Sequence, residues 1–365
     1  MRALRHAVGE LLVVGLSGTA LTGLERAWLD VVRPGGIILF KRNIQDAQQT
    51  RELLNAATGV CAPQAFRLVD LEGGTVDRLR DSLAPLPSAQ AVFRAAKLKK
   101  KPAWMREHGE LAGRAVRAFG FNTTLAPVLD LELGVSAQVM GTRVVSPSPV
   151  DVAAYGREFL LGLKSQRVVG CGKHFPGLGG GTLDSHLDTP SIVRGMREIT
   201  NDDLYPYAEL KNELPMIMVN HAAYPQTPGG GTPASVSRFW ITTVLRNRMG
   251  YEGLSFSDDL EMGGILKFMD IEEAALAAVR AGMDMVEICH SPELILRSYE
   301  ALVREAEGST SFRKLILERA SRVSRQRERL VGARLPAALP AKQLARLQSR
   351  MLRFGAMIAA GATGA

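Results

Sequence analysis

The chain has 365 residues, 46% of them hydrophobic, which is enough to bury a large core as one α/β domain or as two smaller ones. Its three cysteines are far apart and lack metal-ligand spacing, which excludes a disulfide framework and argues against a zinc site. The net charge of +8 permits anionic partners, but no nucleic-acid motif accompanies it, and no apolar run is long enough to cross a membrane. We expect a globular monomer without cofactor or metal, and without a nucleic-acid or membrane partner.

The N-terminal 23 residues carry two arginines and an apolar stretch, features that also begin secretory signal peptides. Glu10 interrupts the stretch, and no small-residue cleavage pattern follows it. We therefore interpret this segment as the first strand of the fold and expect a cytoplasmic protein.

Short apolar runs then alternate with helical patterns along the chain. The strand predictions cover residues 11–18, 36–40, 66–69, 125–129, 168–171, 216–219, 253–257 and 283–288. The helix predictions cover residues 21–32, 46–58, 104–119, 150–164, 200–214 (capped by Thr200 and Asp203), 237–248, 271–281, 291–308 and 341–354.

About eight short apolar strands that alternate with helices favour a parallel sheet. A single closed (β/α)8 TIM-type barrel explains this order best. An open doubly wound sheet is the alternative, but no G-x-G-x-x-G follows the first strand. We assign residues 1–334 to the barrel, as a catalytic domain, and 335–365 to a C-terminal helix with a frayed tail and no chemistry.

Polar residues follow the apolar runs, where the strands of barrel enzymes present their active sites. If the strands share one barrel, these residues converge on its mouth. The set is rich in hydrogen-bonding groups and poor in metal-ligand spacing, which suits a sugar. Its members are Asp70, Arg78, Arg143, Lys173, His174, Asp184, His186, Asn220, His221, Asp258 and Glu287.

Two features of this set indicate glycosidase chemistry. Asp258 ends an apolar strand and could attack an anomeric carbon, which requires a second group to protonate the leaving oxygen. In the glycine-rich loop 172–190, Asp184 could orient His186 for that role. Plainer interpretations stay open, namely backbone binding of phosphate by this loop, a helix cap or ion pair at Asp258, a turn at Asp70, and surface charge elsewhere.

Five segments resemble the bacterial β-N-acetylhexosaminidases of glycoside hydrolase family 3, in the family's order and across most of the chain. The Asp-Ser-His element distinguishes them from the related β-glucosidases. The segments are Val-Asp-Leu-Glu-Gly-Gly-Thr-Val-Asp-Arg (69–78), Ala-Pro-Val-Leu-Asp-Leu (126–131), Lys-His-Phe-Pro-Gly (173–177), Asp-Ser-His (184–186) and Phe-Ser-Asp-Asp-Leu-Glu-Met (256–262).

The resemblance implies a single-domain TIM barrel and a retaining mechanism through a covalent glycosyl-enzyme. It implies Asp258 as nucleophile, His186 as general acid/base and Asp184 as its partner. It also implies a function, the removal of terminal N-acetylglucosamine from cytoplasmic cell-wall fragments (muropeptides) in peptidoglycan recycling. The residues that it implies for binding the sugar are Asp70, Arg78, Arg143, Lys173 and His174.

The chain departs from the family at Leu178, where histidine is frequent, at Thr142, where aspartate is frequent, and at Thr75, where arginine is common. The first two lie near the expected sugar pocket and bear on substrate preference. Two alternative functions remain at this point. One is a glycoside phosphorylase, because a histidine acid/base does not repel phosphate, and the other is a non-catalytic barrel that binds muropeptides or nucleic acid.

Overall fold

The computed structural model describes residues 2–62, 64–181, 190–332 and 337–362, with the backbone alone at 137 and 138. Its strands are Leu12–Gly15 (β1), Gly36–Leu39 (β2), Phe66–Val69 (β3), Leu71–Gly73 (β4), Val76–Asp77 (β5), Thr123–Thr124 (β6), Val169–Phe175 (β7), Met216–Val219 (β8), Leu254–Asp259 (β9) and Met285–Ile288 (β10). Eight of them close a parallel barrel in the order β1-β10-β9-β8-β7-β6-β3-β2, and β4 pairs with β5 in a separate hairpin. The predicted (β/α)8 barrel is confirmed.

Helices surround the barrel and cover its outer face. The α-helices are Arg2–Gly9 (α1), Gly23–Val32 (α2), Ala47–Val60 (α3), Ala89–Leu98 (α4), Ala103–Ala118 (α5), Ala137–Met140 (α6), Pro149–Ser165 (α7), Met196–Asn201 (α8), Tyr205–Leu210 (α9), Gly263–Leu266 (α10), Ile271–Ala281 (α11), Pro292–Gly308 (α12), Thr310–Val331 (α13) and Ala341–Ala362 (α14). A π-helix spans Phe239–Arg248, and short 3-10 helices span Lys41–Asn43, Gly134–Ser136, Gly141–Arg143 and Ala234–Val236. Among the described residues, no helix combines the length and the apolar character needed to cross a bilayer.

The core has two layers because successive side chains of a strand point to opposite faces of the sheet. Val13, Leu68, Cys171, Met218 and Phe256 belong to the layer that fills the barrel. A larger layer lies between the strands and the surrounding helices. The strands are therefore buried on both faces, and their continuous apolar runs made them visible in the sequence.

The prediction that the N-terminal segment is a strand is wrong for residues 2–9, since α1 precedes β1. Ala7 and Val8 are buried, whereas Arg2 is exposed and Arg5 pairs with Glu300 at 2.9 Å. One apolar face and one polar face are the pattern of a surface helix. The strand begins only at Leu12.

Two other predicted elements are also displaced. The strand predicted over residues 125–129 begins earlier, since its regular pairing occurs at Thr123 and Thr124, and Val128 adds an isolated bridge with Lys173. Pro127 between them has no N–H to donate. The predicted helix 200–214 is two short helices, α8 and α9. Thr200 is not the N-cap of the predicted helix, since α8 already begins after Gly195. Asp203 does not take part in capping either, because its carboxylate binds Arg194.

The structure also contains elements that the sequence analysis did not predict, and one helix that is longer than predicted. The β4–β5 hairpin and α4 occupy the insertion between β3 and α5. The last helix continues eight residues beyond Phe354, so most of the expected frayed tail is helical. It continues because Ile358 and Gly361 are buried as well.

A buried charge cluster ties α13 to the amino ends of two strands. Asp284, fully buried before β10, accepts hydrogen bonds from the backbone N–H of Ser255 at 2.9 Å and from the guanidinium of Arg246. Arg319 and Arg322 of α13 lie 3.2 and 3.4 Å from its other oxygen. One carboxylate therefore compensates three guanidinium groups.

Removing this carboxylate leaves three cations side by side with no counter-charge. We expect Asp284→Ala to lower the free energy of unfolding by about 3–5 kcal/mol, the usual cost of breaking a buried ion pair from one side. Urea unfolding followed by circular dichroism measures it. Glu318→Ala, an exposed carboxylate 3.9 Å from Lys314, is the control and should change stability by less than about 0.5 kcal/mol. Equal effects of the two variants would contradict the prediction.

Candidate active site

A cavity of about 330 Å³ opens where the barrel strands end. Parallel strands of a barrel direct the residues at their carboxyl ends to one rim, so side chains distant in sequence meet there. Most of the predicted rim set does meet there. The cavity is lined by Phe40, Asp70, Val76, Arg78, Leu125, Val139, Met140, Arg143, Lys173, His174, Leu178, Met218, Asp258, Asp259, Glu261, Met262, Glu287 and His290.

Lys173 is the buried centre of the charged side of this cavity. Its Nζ lies 2.9 Å from Oδ1 of Asp70 and 2.6 Å from Oε1 of Glu72, and its side chain is 3% exposed. Burial alone would raise the pKa of both carboxyl groups, but the neighbouring cations outweigh it. Lys173 and Arg78 hold the pKa of Asp70 well below its usual value, and Arg143 and Lys173 lower that of Glu72 to about 2.

The same interactions act on the lysine in the opposite sense. Burial alone would lower the pKa of Lys173, but Asp70 and Glu72 raise it above its usual value. All three groups therefore stay charged at neutral pH. Two of the three ammonium protons are directed at the two carboxylates, and the third remains for a ligand.

Arg143, in the 3-10 helix Gly141–Arg143, is held in a bidentate pair. Its Nε and Nη2 each donate to Glu72 at 2.8 Å, and Nη2 lies 3.3 Å from Nε2 of His174. Thr142, where the related family often has aspartate, is exposed and makes no hydrogen bond within the described residues. Glu72 supplies the orienting charge for Arg143 that residue 142 does not.

Two neighbouring side chains determine which ring nitrogen of His174 carries the proton. A guanidinium can only donate, so Nε2 of His174 accepts from Arg143, and Nδ1 donates to Oδ2 of Asp130 at 2.6 Å. The other oxygen of Asp130 accepts the backbone N–H of Leu178 at 2.7 Å. Asp130 thus orients both the imidazole and the start of the glycine-rich loop, and the Leu178 side chain adds an apolar wall.

The adjacent aspartates at the end of β9 differ in their bonding. Asp259 accepts the N–H of Glu261 at 3.0 Å and lies 3.3 Å from Nε2 of His290. The Asp258 side chain is half-buried, and within the described residues it accepts one hydrogen bond, from the N–H of Asp259 at 3.0 Å. Both line the cavity, but Asp259 is occupied with the following turn, whereas one oxygen of Asp258 has no partner among the described residues.

Glu287 lies at the cavity wall in an environment that favours its neutral form. It is 3% exposed, and burial together with Asp259 raises its pKa well above the usual value. Its Oε1 accepts from Sγ of Cys289 at 2.8 Å, and its Oε2 has no partner among the described residues. A protonated carboxyl group here can donate one hydrogen bond.

Two members of the predicted rim set do not line the cavity. Asn220 donates to the carbonyl of His174 and to the hydroxyl of Tyr224, both at 2.9 Å. His221 is fully buried between the hydroxyl of Ser235 and the carbonyl of Asp259. Their position at a strand end is right, but their side chains turn behind the wall because backbone carbonyls there need donors.

Asp184 and His186 lie outside the described residues. The chain is described as far as Gly181, beyond the cavity residue Leu178, and again from Pro190.

Other residues of the site were absent from the predicted rim set, including Glu72 and Asp130, which hold cavity residues in place without lining the cavity themselves. Glu72, Asp130 and His290 had a sequence signal, since each closely follows an apolar run. Phe40 ends the predicted strand 36–40 and Glu261 lies in the segment 256–262, so both positions carried a signal although neither was named as a rim residue.

A larger cavity, of about 950 Å³, lies near the amino ends of β6 and β7. Arg117, Asn122, Lys164 and Arg167 are among its lining residues. It holds a single carboxylate, Glu213, which pairs with Arg157 at 3.1 Å. Asp258 and the ion-paired carboxylates and cations that can hold a sugar are at the other end of the barrel, so we assign the site there.

Residues 3–326 match the Glycosyl hydrolase family 3 N terminal domain. A β-hexosaminidase from Alkalilimnicola ehrlichii is 38% identical over 289 residues, which cover 78% of this chain and 82% of that protein. Native NagZ from Neisseria gonorrhoeae superposes with a TM-score of 0.77 at 28% identity, covering 97% of this chain and 98% of NagZ. Its complex with N-trifluoroacetyl-D-glucosamine gives a TM-score of 0.76 at 27% identity with the same coverage. The chain therefore belongs to glycosyl hydrolase family 3 and is a glycoside hydrolase similar to the β-hexosaminidases.

Proposed function

We propose that this chain is a retaining exo-β-N-acetylglucosaminidase that removes terminal N-acetylglucosamine from cell-wall fragments. The observation that carries the proposal is the cavity at the carboxyl end of the barrel, where Asp258 lies among paired donors and acceptors. A volume of about 330 Å³ is at the small end for ligand sites, which favours a single terminal sugar ring. The similarity to β-hexosaminidases supports the same sugar.

In the proposed first step, a carboxylate oxygen of Asp258 attacks the anomeric carbon as the glycosidic C–O bond breaks. His186, oriented by Asp184, donates its proton to the departing oxygen. In the second step His186 takes a proton from water, the water oxygen attacks the anomeric carbon, and Asp258 is released. The configuration is retained because the anomeric carbon is inverted twice.

The remaining cavity residues are proposed to hold the sugar. Lys173 has a proton to spare for a hydroxyl, and Nε of Arg78 is buried without a partner among the described residues. Asp70 and Arg143 are fixed by their ion pairs, and Asp130 fixes His174. Groups held in this way need little reordering when a ligand binds.

The cellular setting is also a proposal. Cys61, Cys171 and Cys289 are buried free thiols, which supports a cytoplasmic protein. We propose that it acts there as a monomer on muropeptides in peptidoglycan recycling.

The first test is hydrolysis of an aryl β-N-acetylglucosaminide beside the matching β-glucoside. We expect cleavage of the former only, and a loss of at least about 10³-fold in kcat for Asp258→Ala, because no nucleophile remains. Asp270→Ala, an exposed carboxylate without a side-chain cap bond, is the control. Cleavage of both sugars, or full activity of Asp258→Ala, would refute the proposal. A sugar 1-phosphate formed in phosphate buffer would identify a phosphorylase instead.

The acid/base assignment predicts a dependence on the leaving group. His186→Ala should slow the first step greatly for an alkyl or sugar aglycone and little for an activated phenol, since a good leaving group needs little protonation. Pre-steady-state rates with a series of aglycones measure this. A uniform loss across the series would contradict the assigned role.

Lys173 should control the pH range of the site. Without its charge, burial of Asp70 and Glu72 is no longer compensated, and the pKa of at least one of them rises. We expect Lys173→Met to lower kcat/KM by about 10²-fold or more and to shift the acid limb of its pH profile upward. Lys173→Arg, which keeps the charge, should retain the original limb. A loss that is the same at every pH, with the acid limb unmoved, would show that the lysine does not hold these carboxylates ionised.

A further inference from the structure

The positive charge of the chain is concentrated at one end of the sequence. Of 45 basic and 37 acidic residues, six basic residues and no acidic one follow Glu328. This segment therefore supplies six of the eight net positive charges. Its helix α14 also lies beyond the part of the chain that matches the family, which ends at residue 326.

The barrel holds α14 in a fixed orientation. Leu347, Met351 and Ile358 are buried in the interface with α4 and α5. Phe354 stacks on His108 with a centroid distance of 6.2 Å, and Arg350 lies 2.7 Å from Glu107. The opposite face of α14 is therefore presented to solvent.

At the edge of this interface, α14 and α5 form a groove of about 570 Å³ whose lining includes Arg114, Arg117, Arg346, Arg350 and Arg353. Within the ranges that the structure describes, Arg350 alone among these five pairs with a carboxylate. Some exposed arginines elsewhere pair with acids at 2.8–2.9 Å, as in the pairs Arg106–Glu158 and Arg297–Glu272, whereas others, such as Arg26 and Arg304, have no ion pair among the described residues. What distinguishes this groove is that four arginines unpaired within the described ranges line it together.

Further positive charge lies in the turn after α4, beside the carboxyl-terminal end of α14. Lys99 and Lys100 are exposed and without a side-chain partner in the described part of the chain, and Lys101 lies 5.3 Å from the ring centroid of Trp104. A side chain at Gly361 would come within 3.1 Å of this ring, so the end of α14 abuts the turn. We call Lys99, Lys100, Arg114, Arg117, Arg346 and Arg353 the cationic face.

Apolar side chains are exposed among these cations. Leu98 at the turn is 55% exposed, and Leu352 and Met357 on α14 are 51% and 36% exposed. A solvated helix face needs neither the unpaired cations nor the exposed aliphatic groups. Cations interspersed with aliphatic side chains characterise segments that lie on an anionic membrane surface.

We propose that the cationic face adsorbs to the surface of an anionic phospholipid bilayer, with Leu98, Leu352 and Met357 entering the headgroup region. Nucleic acid fits less well. The cationic face contains no exposed aromatic residue for base stacking, and exposed aliphatic groups do not contribute to binding phosphates. The expectation of no membrane partner was based on the lack of a spanning run, which adsorption does not require.

The test is co-sedimentation of the full chain with vesicles of phosphatidylcholine alone, or with about a third phosphatidylglycerol. We expect binding to the anionic vesicles only, weakened by high salt. The variant Lys100→Gln/Arg346→Gln/Arg353→Gln should bind at least about tenfold more weakly, because each cation near an anionic surface contributes severalfold in affinity.

The control variant, Arg26→Gln/Arg304→Gln/Lys314→Gln, removes the same charge from exposed positions on α2, α12 and α13. It should bind as the parent chain does, and both variants should unfold in urea as the parent chain does, which checks their folding. An equal loss of vesicle binding in the two variants would show that net charge alone causes the binding, which would overturn the proposal. So would absence of binding, equal binding to neutral vesicles, or tighter binding to a DNA duplex than to the anionic vesicles. Since the vesicle assay needs no turnover, failure of the proposed glycosidase function would leave its result unaffected.

Discussion

The buried ammonium of Lys173 is the interaction on which the candidate site depends. It lies between Asp70 and Glu72, two carboxylates that could not share a buried space in their ionised forms without it. The lysine is in β7, the carboxylates lie at and just after the end of β3, and Arg143 comes from a loop between these strands. One cation therefore fixes three segments of the rim, so that the groups proposed to hold the sugar are positioned before it arrives.

The two ends of the barrel use buried charge for different purposes. At the amino ends, Asp284 is saturated by Ser255 and three arginines, and it joins the last barrel strands to α13. At the carboxyl ends, Asp258 and Lys173 retain bonding capacity. This division follows from the parallel barrel, in which one rim is free to carry chemistry and the other stabilises the fold.

The charges of the cationic face at α14 differ from those of both the Asp284 cluster and the cavity. The ions in the cavity are paired and buried, whereas those of the cationic face are exposed, or half-buried in the case of Arg117, and lack carboxylate partners among the described residues. Paired ions in a buried site fix geometry at any ionic strength, while exposed unpaired cations attract anionic partners over distances that salt shortens. Substrate binding and the proposed surface binding should therefore respond differently to salt.

The sequence by itself determined the barrel and part of the membership of its rim. Strands buried on both faces appear as continuous apolar runs, and residues such as Asp70 and Asp258 directly follow them, so local pattern was sufficient. Tertiary structure alone decided which rim side chains enter the cavity. Asn220 and His221 turn behind the wall to satisfy backbone carbonyls, and Glu72 proved to be the partner of both Lys173 and Arg143. Such choices depend on contacts between residues far apart in the chain, and the local pattern of a sequence does not contain them.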